Sequence, residues 1–225
     1  MLFRSKNWKG KIDFSHRVKI EMLIDFANHH NGNILYVDSD TAFTSKLDHL
    51  FEQLSNGMLF MHIYEGRIAD RGNPILKKLN NYLQKNTYGN LNSVPIEKIA
   101  MWNAGVLGFN TFHSKLLGNV LTLTDEMYPK FPKHVTEQFA LSIFFQKTGL
   151  IKAASPYILH YWNLKELTQV LESFIKKFKH EPWNYMAELS KYISINGLMQ
   201  EKANFYANRN IKDKILKKRW RPRSE

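Results

Sequence analysis

The segment Ile34–Asp40 constrains the fold more than any other stretch, because four apolar residues lead directly into two carboxylates. A short apolar run rich in β-branched and aromatic residues predicts a buried strand. Asp38 and Asp40 lie two residues apart, so on extended backbone their side chains point to the same side. Ligands of open α/β sheets bind beyond the carboxyl ends of strands. The segment therefore predicts an α/β fold with a divalent cation held by the two carboxylates, since hard cations take oxygen ligands.

Apolar periodicity in the rest of the chain predicts helices alternating with short strands. Ser15 is expected to cap the first helix, and Ser45 to Asp48 match a capping box. We expect further helices over 46–55, from Asn73-Pro74, over about 111–126 and over about 136–147. Strands are expected at 33–37, 57–62, 150–154 and 157–161, and residues 64–72 are expected to form a loop. Residues 99–109 are apolar and interrupted by two glycines.

Composition indicates an ordinary globular chain of 225 residues, with 44% hydrophobic and 23% charged residues. The N-terminus has no apolar run of signal-peptide length, and the chain has no cysteine. A cytoplasmic location is therefore expected, because a chain without cysteines forms no disulfides and so fits a reducing compartment. The net charge of +12 favours acidic partners such as nucleotides or anionic membranes.

The C-terminal part of the chain differs from the rest in charge and pattern. From Lys165 onward Lys and Arg outnumber Asp and Glu by 14 to 7, and apolar residues between 167 and 178 follow a helical spacing. We therefore expect a domain over 1–163 and a basic helical extension over 164–225. Basic residues crowd the extreme end: Lys212, Lys214, Lys217, Lys218, Arg219, Arg221 and Arg223. They form either a solvated surface or a peripheral contact with anionic lipid at the inner face of the membrane.

Four segments, taken in order, resemble a known family. Asp38-Ser39-Asp40 resembles the DxD signature of GT-A-type nucleotide-sugar glycosyltransferases, family 8 among them. Trp102–Phe109 resembles their N-A-G segment, which lines the donor-sugar pocket. Thr136–Ala140 resembles the acidic start of the helix that follows, and Ile158–Trp162 contains a late histidine like the one that completes the metal shell.

The resemblance implies a GT-A-like mixed sheet flanked by helices and a metal-dependent transfer of sugar to an acceptor hydroxyl. It implies Mn²⁺ or Mg²⁺, a nucleoside-diphosphate sugar as donor, and a glycan or lipid-linked acceptor. Asp38, Asp40 and His160 would be the metal ligands, and Glu137 would be the catalytic carboxylate that orients or deprotonates the acceptor. The substrate-binding residues would be Asp38, Asn103, Ala104, Gly105 and Gln138.

The family also implies nucleotide-binding strands ahead of the DxD motif. Two βαβ units need about 60 residues, whereas 37 residues precede Asp38. An N-terminally shortened domain is therefore expected, in which the basic residues Arg17 and Lys19 could reach a diphosphate. The alternative function is a non-catalytic GT-A-like remnant that acts as a binding or scaffolding subunit.

Each candidate residue also has a simpler structural explanation. Asp is common where strands end, a lone His is often a packed side chain, and an acid such as Glu137 favours the first turn of a helix. A haloacid-dehalogenase-like phosphatase also places Asp-x-Asp after a strand, but its pattern needs Thr or Val where this chain has Ala42. Nucleic-acid binding is not expected, because the basic tail lacks interleaved aromatic residues.

Overall fold

The computed structural model describes residues 7–70, 72–91 and 95–222 of the chain. Two compact units make up the chain, Met1–His160 and Tyr161–Glu225. The sequence predicts this boundary after residue 163. Arg223, one of the basic residues singled out at the C-terminus, lies outside the described residues.

The first unit is an α/β structure with a mixed sheet flanked by helices, which confirms the fold class at this level. Its strands are β1 (Asn33–Val37), β2 (Thr41–Phe43), β3 (Leu59–Met61), β4 (Tyr64–Arg67), β5 (Ala100–Trp102), β6 (Val106–Asn110), β7 (Ile151–Ala153) and β8 (Ile158–His160). Its helices are α1 (Arg17–His29), α2 (Asp48–Ser55), α3 (Pro74–Leu83), α4 (Lys115–Met127) and α5 (Val135–Gln146).

The main sheet has the strand order β1-β6-β3-β7 among the described residues. Strand β6 pairs antiparallel with both β1 and β3, and β3 pairs parallel with β7. Two antiparallel pairs, β2 with β8 and β4 with β5, lie outside this sheet. Strand β8 ends at His160, Asp40 immediately precedes β2, and Asn103 immediately follows β5.

The sheet separates two apolar clusters, because neighbouring residues of a strand point to opposite faces. Leu59 and Met61 belong to the larger cluster, together with buried residues of α1, α3, α4 and α5. Phe60, between them in sequence, packs instead in a smaller cluster with Leu50 and Leu54 of α2. Burial of these clusters places helices on both sides of the sheet.

Several local predictions are confirmed by the structure. Strand β1 has the expected bounds, and α3 begins where Asn73-Pro74 predicts. The Asn73 side chain accepts hydrogen bonds from the backbone N–H groups of Ile75 and Leu76, at 2.9 and 3.4 Å. This satisfies two of the amide donors that a helix start leaves open.

Two predicted caps and one predicted loop are wrong. Helix α1 is preceded by His16 and α2 by Leu47, and neither start has a side-chain cap among the described residues. The Ser45 hydroxyl donates instead to the Pro156 carbonyl at 3.2 Å, so a contact distant in sequence replaces the local cap. Within the predicted loop 64–72, Tyr64–Arg67 forms strand β4. Pairing with β5 supplies its backbone hydrogen bonds, and the polar sequence of this segment does not predict that pairing.

The second unit contains helices α6 (Leu167–Phe178), α7 (Trp183–Ser190), α8 (Ile195–Ala207) and α9 (Ile211–Ile215). The helical spacing between 167 and 178 correctly predicts α6. Within the described part of the chain, no helix is long and apolar enough to cross a membrane.

Candidate functional site

The structure brings together Asp38, Asp40 and His160, the three predicted metal ligands. One potential ligand atom from each residue lies within 4.8 Å of the other two. The His160 Nε2 atom is 3.1 Å from Asp40 Oδ1 and 3.8 Å from Asp38 Oδ2. The imidazole is 6% exposed and each carboxylate 29%, so the cluster is reached from solvent on its acidic side.

Strand pairing explains why these three residues meet. Asp38 follows β1, and its backbone N–H donates to the Gly105 carbonyl at 2.8 Å. Asp40 immediately precedes β2, whose first residue, Thr41, pairs with His160 at the end of β8. The β2–β8 ladder therefore brings His160 to Asp40 across 120 positions of sequence.

The His160 ring is held on its other nitrogen by the Asn103 side chain. Its Nδ1 atom lies 2.8 Å from Asn103 Oδ1, which also accepts the backbone N–H of Gly105 at 3.0 Å. The backbone of Asn103 is clamped as well, because its N–H donates to the Ile63 carbonyl and its carbonyl accepts from the His62 N–H. Both the position and the amide orientation of Asn103 are thus determined by its neighbours.

Gly105 makes room for the His160 ring. A Cβ atom at residue 105 would lie 2.1 Å from both Nδ1 and Cε1 of the imidazole, far inside van der Waals contact. A side chain at this position would displace the histidine. The glycine of the N-A-G segment is therefore explained by packing against a candidate metal ligand.

Glu65 is a site residue that the sequence reasoning missed. Its Oε1 atom accepts from Asn103 Nδ2 at 3.0 Å, and its Oε2 atom accepts from Gln138 Nε2 at 2.7 Å. The β4–β5 register shifts between Tyr64 and Gly66, so Glu65 is the extra residue of a β-bulge. Gly66 has a φ of 114°, which favours glycine. The Glu-Gly pair was the available signal, but it lay in a predicted loop.

Lys19 supplies a positive charge beside the acidic cluster. Its Nζ atom is 3.4 Å from Asp38 Oδ1 and 3.3 Å from Glu137 Oε1, and it donates to the Ala104 carbonyl at 3.0 Å. Burial opposes the charge on Lys19, yet the carboxylates of Glu137 and Asp38 raise its pKa above the usual value. The ammonium group is therefore charged at neutral pH.

Glu137 lies beneath this lysine at the start of α5, and its side chain is only 3% exposed. Burial raises the pKa of Glu137, while the charge of Lys19 opposes that shift. Asp38 also accepts a hydrogen bond from the Tyr36 hydroxyl. Burial raises the pKa of Tyr36, and this hydrogen bond raises it further. Glu137 thus faces Lys19 and has little contact with solvent.

His62 packs against His160 and is neutral at physiological pH. Its Nε2 atom accepts the backbone N–H of His160 at 3.2 Å, and the two rings meet edge to face with centroids 5.3 Å apart. Burial, together with the nearby His160, lowers the pKa of His62 to about 4. A neutral His62 can therefore keep accepting this hydrogen bond.

Arg17 is placed in a packing contact between helices. Its guanidinium donates to both carboxylate oxygens of Asp125 on α4, at 2.7 and 3.0 Å. Further hydrogen bonds at 2.7 and 2.6 Å reach Glu21 and the Trp8 carbonyl. Arg17 therefore joins α1 to α4, whereas Lys19, two residues later, is the basic residue that contacts Asp38.

Comparison of the chain with protein-family models, with curated proteins and with solved structures gave no match.

Proposed function

We propose that this chain is a metal-dependent glycosyltransferase with a GT-A-like fold, which moves a sugar from a nucleoside-diphosphate sugar to an acceptor hydroxyl. The observation that carries the proposal is the Asp38–Asp40–His160 cluster at the end of a strand, with an ammonium group 3.4 Å from Asp38. The order of the DxD-like, N-A-G-like and acidic helix segments supports the same reading.

The residues of the cluster suit a divalent metal ion. Two carboxylates and one imidazole supply oxygen and nitrogen donors within 4.8 Å of one another, and the carboxylate side is open to solvent. A purely oxygen-lined site is typical of Mg²⁺, whereas an imidazole ligand favours a transition metal. We therefore infer Mn²⁺ as the preferred ion and Mg²⁺ as a weaker substitute.

A bound divalent ion would neutralise charge on the diphosphate leaving group. Lys19 would add a second positive charge beside Asp38, whose Oδ1 atom lies 3.4 Å from the ammonium group. We assign Glu137 to anchoring Lys19, beside its predicted role of orienting or deprotonating the acceptor.

The polar groups around Asn103 would face the transferred sugar. Gln138 and Glu65 form a hydrogen-bonded pair that continues from Asn103, which contacts His160. Amides and carboxylates arranged in this way are suited to sugar hydroxyl groups, which both donate and accept hydrogen bonds. A glycan or a lipid-linked sugar would supply the acceptor hydroxyl.

Donor binding by the purified chain tests the proposal. UDP- and GDP-sugars should bind, as measured by titration calorimetry, in the presence of Mn²⁺ but not in excess EDTA. Asp40→Asn should abolish the metal-dependent binding because it removes an anionic ligand. Asp48→Asn, at an exposed position in the first turn of α2, is the matched control and should bind like the unmodified chain.

The alternative function predicts a different result in the same experiment. A non-catalytic remnant would bind no donor, with or without metal. Donor binding that persists in Asp40→Asn would instead reject the metal bridge.

A further inference from the structure

A chain of hydrogen bonds runs from Glu65 through Asn103 to His160, and its direction can be deduced from the chemistry of its members. An ionised carboxylate only accepts hydrogen bonds. The amide atom of Asn103 that lies 3.0 Å from Glu65 Oε1 must therefore be the NH₂ group. This places Asn103 Oδ1 on the opposite side, towards His160.

A second contact leads independently to the same orientation. The backbone N–H of Gly105 points at the same Asn103 atom, at 3.0 Å, and a backbone N–H only donates. This atom must therefore be an oxygen. Both ends of the amide therefore require the same orientation of Asn103.

The proton on His160 follows from this orientation. Asn103 Oδ1 is an acceptor 2.8 Å from His160 Nδ1, so Nδ1 must carry the hydrogen. In a neutral imidazole the other nitrogen, Nε2, then holds a lone pair, and Nε2 is the atom that faces Asp40 and Asp38.

We propose that Asn103, oriented by Glu65 and the Gly105 N–H, is a positioning residue that holds His160 in the Nδ1–H tautomer and so keeps Nε2 available to a metal ion. The competing tautomer places the hydrogen on Nε2, where it donates to Asp40 at 3.1 Å and blocks ligation. This inference rests on the proposed metal site. Gln138 completes the series of hydrogen bonds by donating to Glu65 from α5, so the contact of Asn103 with His160 is supported from β4 and from α5.

The tautomer can be measured without metal. In ¹⁵N-histidine-labelled protein kept in EDTA at pH 7.5, long-range ¹H–¹⁵N spectra separate protonated from unprotonated ring nitrogens, and His160→Gln identifies the signals of His160. We expect Nδ1 of His160 to carry a hydrogen in the unmodified chain, because Asn103 Oδ1 accepts from it. Asn103→Leu removes the acceptor and should shift His160 towards the Nε2–H form.

The same variants should weaken Mn²⁺ binding, measured by titration calorimetry on protein freed of EDTA. Loss of an outer partner of a metal-bound histidine typically costs about 10- to 100-fold in metal affinity, which is the expected effect of Asn103→Leu. Glu65→Leu, at a partly exposed residue, should have a smaller effect in the same direction, because the Gly105 N–H still orients the amide. Asn81→Leu, on the exposed face of α3, is the control and should change neither measurement.

The two readouts separate this inference from the proposed function. An unchanged Nδ1–H signal in Asn103→Leu, with the fold intact by circular dichroism, would overturn the positioning role. A Glu65→Leu chain that binds Mn²⁺ as tightly as the unmodified chain would remove Glu65 from the hydrogen-bond chain. If the tautomer shifts as expected but the unmodified chain binds no Mn²⁺, the proposed metal site fails while the assignment of Asn103 and His160 stands.

Discussion

Gly105 is the residue at which a single added carbon has the clearest consequence. Because a Cβ atom would lie 2.1 Å from the His160 ring, Gly105→Ala should rotate or push away the imidazole. Misplacing one ligand removes the convergence of three donors on one point. We expect Gly105→Ala to weaken Mn²⁺ binding by about 10-fold or more, comparable with the loss of an outer-shell partner. Titration calorimetry with Mn²⁺ measures this effect.

Gly118→Ala is the matched control for this substitution. It lies on α4, where an added Cβ meets nothing within 4 Å, and alanine stabilises a helix interior by about 1 kcal/mol relative to glycine. It should leave Mn²⁺ binding unchanged. Equal Mn²⁺ affinity in the Gly105→Ala chain would contradict the packing explanation.

Lys19 and Glu137 illustrate how burial changes the role of a charged residue. A first-turn glutamate is ordinarily a surface feature that stabilises the helix dipole. Here its carboxyl group is buried, and the nearby ammonium group of Lys19 opposes the rise in pKa that burial causes. Removing Lys19 would leave Glu137 buried without this compensating charge, whereas removing Glu137 would still leave Asp38 beside Lys19.

At the scale of elements, the contact between α1 and α4 includes the Arg17–Asp125 pair, whose bidentate hydrogen bonds lie at 2.7 and 3.0 Å. Arg17→Met keeps the aliphatic stem but leaves Asp125, Glu21 and the Trp8 carbonyl without this donor. We expect the free energy of unfolding to fall by about 1–3 kcal/mol, as for other hydrogen bonds to charged groups. Urea unfolding measures the fall, and Mn²⁺ binding should be unchanged.

Lys9→Met provides the comparison, because the Lys9–Asp13 ion pair is exposed and such pairs contribute about 0–1 kcal/mol. If Arg17→Met instead left stability unchanged and weakened donor binding, Arg17 would be the substrate-binding residue that the sequence predicts. The experiment thus distinguishes the two roles of one residue.

Helix α5 contributes residues to the apolar core and also supplies side-chain hydrogen bonds to the backbone of β5. The Gln146 side chain accepts from the Ala100 N–H and donates to the Ala100 carbonyl, at 3.0 and 3.1 Å. The Ser142 hydroxyl accepts the Trp102 N–H at 2.9 Å. These side chains provide hydrogen-bond partners for backbone groups of β5, and so help to hold the strand that leads into Asn103.

At the scale of the whole molecule, the C-terminal unit combines positive charge with exposed aromatic residues. Trp183 is 85% and Tyr192 84% exposed, and the segment from Lys165 onward has 14 basic against 7 acidic residues. Aromatic side chains insert at membrane interfaces, and each basic residue near anionic lipid contributes about 1 kcal/mol. We propose a peripheral contact with anionic membranes through this unit.

Co-sedimentation of the full chain with vesicles tests this contact. Binding should require phosphatidylglycerol, should fall when salt is raised from low to about 0.5 M, and should weaken in the Trp183→Ala, Tyr192→Ala double variant. Phe43→Ala, which removes an exposed aromatic residue of the first unit, should bind normally. Binding that ignores lipid charge and salt would reject the proposal.

Features that depend on residues close together in the sequence can be predicted from the sequence. The strand Asn33–Val37, the helix start at Asn73 and the amphipathic spacing of α6 follow from side-chain period, from fixed backbone preference and from local capping. The three candidate metal ligands were likewise named from their residue types and order. The resemblance of four ordered segments identifies His160 as a candidate ligand, but it does not give the distance from His160 to Asp38 or Asp40.

Only the tertiary structure shows which of those residues contact one another, because the contacts within the candidate site join positions far apart in sequence. His160 meets Asp40 across 120 positions, Lys19 meets Ala104 across 85, and Glu65 meets Asn103 across 38. No local period encodes such contacts. They arise when burial of two apolar clusters brings strands and helices together, and the polar groups left inside must then find partners.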